Sequence, residues 1–496
     1  MMVRRGSSAK SGALSIDAQA APHAPAEAAV CDDEQPVSPT GRLFREPHFN
    51  CYIVCVLGVG CTIDLAAVRP GLEATLARHP RFCSVQVLDK SEMVGAKPKW
   101  VRTTVNLDDH IVIPDLDAAA DPDKALEDYV SSLSTLPMDH SRPLWELHVL
   151  DFPTAEAAAA VALRMHHSLG DGVSLLSLLI ACTRSAADPA ALPALPPAGR
   201  AGPLYALPPP AAFGAARWAA SLLALAWHTV ADAARMAATV VFARDPPTAF
   251  MGEEGAEFRP KRFVGCTLSL DDIKYIKNAM NCTVNDVLLG VTSAGLSRYH
   301  FRGEGADNLG KNIRIRATLF ANIRPTPGLQ ALSKMMESGG KDNGARWGNQ
   351  LGFMMIPFDL ARHEDPLEYV RRGAKVARRK KSSLECVLTY WSAMAVDKLL
   401  GIKAAASLCY RMFTHTTLLF SSTVGPIERV VFYGHPIVYI APAVYGLPKS
   451  YVNTMKLVIA VDEAQFPHPH KLLEDFAESL RLIREAAASR ESLEAS

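Results

Sequence analysis

At 496 residues the chain exceeds what one hydrophobic core ordinarily fills, so two domains are expected. Hydrophobic residues make up 49% and charged residues 21%, which excludes a disordered chain. The 52 Lys and Arg against 51 Asp and Glu leave a net charge of +1, so no global field favours nucleic acid. Ten cysteines, none in a CxxC pair or at zinc-binding spacing, fit reduced thiols facing a cytosolic compartment, with no metal site expected.

Residues 1–37 are rich in Ala, Ser, Pro and Gly and have no apolar core of a secretory signal, so a disordered tail is expected. From Pro39 the pattern becomes ordered. The run Tyr52–Leu57 reads as a strand, and Asp64 caps a helix reaching toward Arg78. A second strand is read at Phe82–Leu88. Strand and helix patterns then alternate through Trp145–Leu150, Val161–Met165 and Ser174–Cys182, giving an α/β domain over 38–190. Eight prolines between Pro189 and Pro210 mark a linker, placed with the following apolar helix at 191–260. Further strands at Arg314–Phe320, Phe353–Phe358, Leu418–Ser422 and Pro436–Ile440 define a second α/β domain over 261–490.

The apolar stretch 211–243 carries Arg217, Ser221, His228, Asp232, Arg235 and Thr239, which share a stripe about 60° wide at roughly 100° per residue. Three charges make a spanning helix a poor reading. Two readings stay open: a helix buried against protein, or one lying in a membrane interface. A basic run follows at Arg371, Arg372, Lys375, Arg378, Arg379, Lys380 and Lys381. It is either a solvated helix face or a site attracting CoA phosphates or anionic lipid headgroups.

The chemistry concentrates in Val161–Ser174, where an alternating strand runs into His166 and His167, turns through Gly170-Asp171-Gly172 and opens a helix. Neighbouring strand residues face opposite sides, so only one of the two histidines can enter a given cleft, and a shared metal is disfavoured. A histidine at a strand end can serve as a base while Asp171 pins the turn.

The string His166-His167-Ser-Leu-Gly-Asp171-Gly172 resembles the HHxxxDG motif of CoA-dependent acyltransferases. From Pro36 onward the chain resembles the plant form of the wax ester synthase/diacylglycerol acyltransferase family. Arg142-Pro-Leu-Trp145-Glu146, Thr283-Val-Asn285-Asp286, Asn322-Ile-Arg324-Pro325, Gly348-Asn349-Gln-Leu-Gly352, Ser422-Thr-Val-Gly425-Pro426 and Ser450–Met455 support the likeness by their order and spacing. The resemblance implies two chloramphenicol-acetyltransferase-like domains enclosing a tunnel, with the motif histidine at its centre. It implies transfer of a fatty acyl group from acyl-CoA, a co-substrate and not a cofactor, to a long-chain alcohol or diacylglycerol. His167 would be the general base, with His166 beside it and no acyl-enzyme. Asp171 would turn from the substrate and pair with an arginine, for which Arg81 is the candidate. Gly172, Asn285, Asp286, Gly348, Asn349 and Gly352 would contact substrate, although Asn285-Asp286 also reads as a helix cap and the glycines as turn residues. The same likeness implies a membrane surface as partner, at the cytosolic face of the endoplasmic reticulum or at the plasma membrane. Two alternatives remain: a transferase acting on smaller alcohols, whose DFGWG motif does not occur here, and an inactive lipid-binding protein on the same fold.

Overall fold

The computed structural model describes residues 35–88, 97–195, 212–303, 312–323, 328–340, 347–421, 425–447, 450–454 and 456–495. Residues 1–34 of the expected tail and most of the proline-rich linker lie outside the described residues; the tail boundary read at residue 37 needs correction, because Gln35 and Pro36 pair with a strand and Val37 is buried in the core.

The first region runs β1 (Gln35–Pro36), α1 (Pro39–Leu43), β2 (Tyr52–Val59) and α2 (Leu65–Ala74). It continues through β3 (Ser84–Val87), β4 (Lys99–Arg102), β5 (Ile111–Val112) and α3 (Pro122–Ser132). It ends with β6 (Trp145–Leu150), β7 (Ala159–His166), α4 (Gly172–Ala181) and β8 (Thr183–Ser185). Then come α5 (Ala212–Val241), β9 (Lys261–Cys266), α6 (Leu270–Ala279), α7 (Val284–Gly303), β10 (Ile313–Asn322) and α8 (Leu329–Glu337). The chain closes with β11 (Leu351–Leu360), α9 (Leu367–Lys381), α10 (Glu385–Leu400), α11 (Ile402–Thr414), β12 (Leu418–Ser421), β13 (Val430–Phe432), β14 (His435–Tyr445), β15 (Ser450–Thr454), β16 (Leu457–Asp462) and α12 (Pro469–Ala495).

Local signals account for several of these boundaries. Asp64 caps α2 by accepting from the Ala66 N–H at 2.9 Å, as its position before the periodic run predicts. Strands β2 and β7 are buried along their whole length, so they read as continuous apolar runs and belong in the middle of a sheet.

Two sheets organise the molecule. One has six strands in the order β11-β10-β12-β15-β16-β9. The other has seven, β5-β6-β7-β2-β14-β13-β8. Both β13 and β14 come from the C-terminal half, and β14 pairs antiparallel with β2 from Tyr445–Tyr52 to Ile437–Val59. The domain boundary read from the sequence therefore needs correction: residues 430–445 leave the 261–490 segment and complete the first sheet. A shared core of Phe44, Cys51, Val54, Leu351, Phe353, Leu419, Met412 and Tyr445 fills the seam between the sheets.

Helix α5 has an unexpected orientation. The part of its polar stripe carrying His228, Asp232 and Thr239 turns inward, while Arg217 and Arg235 stay exposed. His228 Nδ1 lies 2.7 Å from the Ser382 hydroxyl, Asp232 pairs with Arg379 at 2.9 Å and Lys380 at 3.3 Å, and Thr239 contacts Arg316. Thus Arg379 and Lys380 of the basic run are committed to the interior, Lys380 also reaching Glu385 at 2.6 Å. Arg371 and Arg372 pair with Asp365 and Glu368, while Lys375, Arg378 and Lys381 stay exposed. The apolar side of α5 faces outward. Even so, among the described residues no helix is long and apolar enough to cross a membrane.

Candidate active site

Strand β7 delivers the motif. Its last residue, His166, is followed by a single helical turn, His167–Leu169, and then by Gly170 and the Asp171 cap of α4. Pleating sends the two imidazoles to opposite sides. The His166 ring is completely buried in an oriented chain of hydrogen bonds. Gln86 Nε2 donates to the Ser168 hydroxyl at 2.7 Å, and that hydroxyl donates to His166 Nδ1 at 2.6 Å. The Ser168 N–H also approaches Nδ1, at 3.2 Å, so Nε2 carries the proton and donates to Asn50 Oδ1 at 3.1 Å. Burial, more than the neighbouring positive groups, holds the His166 pKa well below the usual histidine range. His166, expected beside the catalytic base, brackets the motif turn to Asn50 just before β2 and, through Ser168, to Gln86 of β3.

His167 faces the other way, into a cavity of about 300 Å³ at the seam of the two sheets. The walls are apolar: Ile53 and Met165 from the first sheet, Leu175, Leu176 and Leu179 from α4, and Leu319, Phe320, Leu351 and Leu419 from the second sheet. Phe44 stacks on the ring at 4.0 Å and 23°, and the backbone N–H of His167 donates to the Cys51 carbonyl at 2.9 Å. Its Nδ1 is buried without a hydrogen-bond partner, which leaves Nε2 as the nitrogen that meets the cavity. Burial pushes the pKa down to about 4, opposed only by the residue's own backbone carbonyl. The ring is therefore neutral at physiological pH.

The second domain grips the motif turn from above. Asn349, 3% exposed, donates from Nδ2 to the carbonyls of His167 at 3.0 Å and Ser168 at 3.2 Å. The Trp347 indole N–H donates to the Leu169 carbonyl at 2.8 Å. Between them Gly348 has φ of +130°, a conformation few side chains accept.

The expected site residues thus divide. Gly172 and Val173, at the start of α4, line the His167 cavity. Asp171 is buried and accepts from the Ser174 N–H at 2.9 Å and hydroxyl at 2.7 Å, so it holds the turn. Its expected ion pair with Arg81 is not formed: Arg81 donates to Gln35 at 2.7 Å and covers the Trp100 ring at 4.9 Å. Asn349 holds the motif backbone, and neither it nor Gly348 lines the cavity. Gly352 lies on β11 where α10 crosses, and a β-carbon there would run into the Cys386 carbonyl, so it serves packing. Asp286 closes a capping box with Thr283, whose N–H it accepts at 2.9 Å, and Asn285 lines a separate cleft of about 800 Å³. Neither reaches the cavity of His167. Phe44, Trp347 and Asn50 were missed. Only Trp347, beside the Gly-Asn pair, carried any sequence signal. Among the described residues no group of three or more His, Cys, Asp or Glu is placed to hold a metal ion.

Comparison with known proteins follows this geometry. The wax ester synthase/diacylglycerol acyltransferase catalytic domain matches residues 57–288, and the WS/DGAT C-terminal domain matches residues 347–484. Wax ester synthase/diacylglycerol acyltransferase 4 of Arabidopsis thaliana is 43% identical, over 93% of this chain and 92% of its own length. Number 5 from the same plant is 42% identical, over 93% and 96%. In three dimensions the chain is similar to the wax ester synthase/diacylglycerol acyltransferase from Marinobacter aquaeolei VT8, with a TM-score of 0.57, 15% identity, and coverage of 92% and 100%. It is also similar to the first condensation domain of the CDA synthetase, with a TM-score of 0.55, 13% identity, and coverage of 92% and 97%. The fold expected from the HHxxxDG resemblance is the one found. With relatives this similar along nearly its whole length, the chain belongs to the wax ester synthase/diacylglycerol acyltransferase family and is an acyltransferase.

Proposed function

We propose that the protein transfers a fatty acyl group from acyl-CoA to a long-chain alcohol or to diacylglycerol, with His167 as general base. The observation that carries this reading is a single neutral imidazole set in the wall of an otherwise greasy cavity. An alcohol is a poor nucleophile at neutral pH, and a base placed at its hydroxyl contributes about 10²–10⁴-fold. The hydroxyl proton passes to His167 Nε2 as the alcohol oxygen attacks the thioester carbonyl. The C–S bond then breaks, and the imidazolium returns the proton to the departing CoA sulfur. Gly172 and Val173, the first residues of α4, line the same cavity, and the unpaired N–H groups of a helix's first turn are the donors we propose for the developing oxyanion.

Direct transfer is favoured over an acyl-enzyme by the other polar groups of the cavity. Cys55 and Ser421 are its thiol and hydroxyl. Burial pushes the Cys55 thiol up to about 12, so its thiolate is scarce, and neither group is hydrogen-bonded to His167 among the described residues. Both acceptors dissolve in lipid and not in water. The proposal accordingly extends to a membrane surface, and the family likeness points to the cytosolic side of the endoplasmic reticulum, with the plasma membrane as an additional site.

The test is an acceptor panel with purified protein and labelled acyl-CoA, comparing wild type with His167→Ala and Cys55→Ala. Loss of ester in the first and retention in the second is the expected result. A folded His167→Ala protein that made ester at the normal rate would end the proposal. Trapped labelled acyl-protein that disappears in Cys55→Ala would replace direct transfer by a two-step route.

A further inference from the structure

We propose that the outward faces of α5 and α10, with the corner between α10 and α11, form the surface by which the protein lies on an anionic lipid bilayer. This rests on the membrane-surface reading above and assigns it to particular residues.

Helix α5 is amphipathic in the reverse sense. A helix on a water-facing surface buries its apolar stripe and exposes its polar one. Here the stripe carrying His228, Asp232 and Thr239 is pinned to the protein, and the outward line at spacings of three and four residues is apolar. Along it Leu223 is 73% exposed, Trp227 70% and Val230 63%. Helix α10 continues the patch with Trp391 at 62%, Leu399 at 78% and Leu400 at 70%. The two helices are in contact, and α11 touches both. An apolar patch of this kind on a protein surface marks something that covers it.

Charge identifies the cover. The three helices hold three acidic residues, and each is paired with a cation: Asp232 with Arg379, Glu385 with Lys380, and Asp397 with Arg42 at 2.6 Å. Their exposed charges are all positive: Arg217, Arg235, Lys398, Lys403 and Arg411. Exposed aromatic and aliphatic side chains on helices whose exposed charges are all positive match an anionic headgroup layer over acyl chains. A second copy of the chain would set these positive charges against their own copies. The face also adjoins the chemistry. Helix α10 packs onto β11 at Gly352, and the neighbouring residue Leu351 lines the His167 cavity.

The test uses the full-length protein floated with vesicles of phosphatidylcholine, with and without about 30% phosphatidylserine. The first variant is Trp227→Glu with Trp391→Glu. The second is Lys398→Ala with Lys403→Ala. Wild type is expected to float with the anionic vesicles, and the tryptophan variant to bind at least about tenfold more weakly. The lysine variant should lose about fivefold per charge on anionic vesicles and little on neutral ones. Turnover of a short, water-soluble alcohol should persist in both, which reports that the cavity is intact. If wild type fails to float, the membrane reading itself falls. If wild type floats and the tryptophan variant floats equally well, the membrane reading survives and this face is wrong. A lipid-free wild-type dimer that the tryptophan variant makes monomeric would assign the patch to a second copy and overturn the proposal.

Discussion

Replacing Asn349 by Ala tests whether the second domain positions the catalytic turn. The side chain spans 3.0 Å to the His167 carbonyl and 3.2 Å to the Ser168 carbonyl, in a place only 3% exposed. Each lost bond leaves a buried carbonyl without its donor, at about 1–3 kcal/mol. The expected cost for the two is therefore about 2–6 kcal/mol, shared between stability and the placement of the imidazole. Expressed wholly in the transition state, the lower bound is about 30-fold in rate, at 1.36 kcal/mol per decade. Two measurements separate the shares: thermal unfolding, and kcat and KM with saturating acceptor. Asn349 does not line the cavity, so kcat should fall while KM for acyl-CoA holds. Asn349→Asp, of the same shape but setting a carboxylate against two carbonyl oxygens, should be worse than Ala. A variant within twofold of wild type in kcat and unchanged in Tm would refute this reasoning. A raised KM with intact kcat would return Asn349 to the substrate-binding role that the sequence suggested.

Further outcomes follow from other contacts. His166→Ala should lower the unfolding temperature by breaking the Ser168–His166–Asn50 chain, whereas His167→Ala should leave it nearly unchanged while abolishing most of the activity. Because the His167 pKa is near 4, kcat/KM should show no inflection at 6.5, and its acid limb should lie near the lower value. His79, His166 and His167 are buried with pKa values below the ordinary one, so the unfolded chain takes up their protons first as pH falls. Stability is thus full above about 6.5 and declines toward pH 4, by roughly 4 kcal/mol per pH unit where all three are engaged; denaturant melts at pH 7, 6 and 5 would show it. Asp232→Ala leaves Arg379 without its carboxylate and Lys380 with Glu385 alone, and should cost up to about 3 kcal/mol because Arg379 is partly exposed, measured by urea unfolding. Gly352→Ala should destabilise by roughly 1–3 kcal/mol, because Cys386 blocks the added methyl group.

Much of the site could be read along the chain because its signals are local. The strand into His166, the Gly-Asp-Gly turn and the Asp171 cap lie within about a dozen residues, and each reports its own backbone conformation. Strand alternation also told that only one imidazole enters the cavity. What failed was long-range. Which arginine meets which aspartate depends on tertiary geometry, and Arg81 lies over Trp100 instead. Asn285 and Asp286 looked functional by position, but the local capping chemistry of Thr283 claims Asp286. The stripe on α5 was visible as a period of 3.6, yet periodicity cannot say which side is inward. That depends on Arg379 and Lys380, about 150 residues away, which turn the polar side to the protein.

The exchange of β13 and β14 into the first sheet bears on how this enzyme can be made and cut. Tyr52 pairs with Tyr445, so the nascent first half emerges with its central strand lacking a neighbour until almost the whole chain has left the ribosome. Such high contact order slows folding and leaves an open edge prone to aggregation. Expression of residues 35–195 alone should therefore give insoluble material, while the intact chain should melt in one cooperative transition.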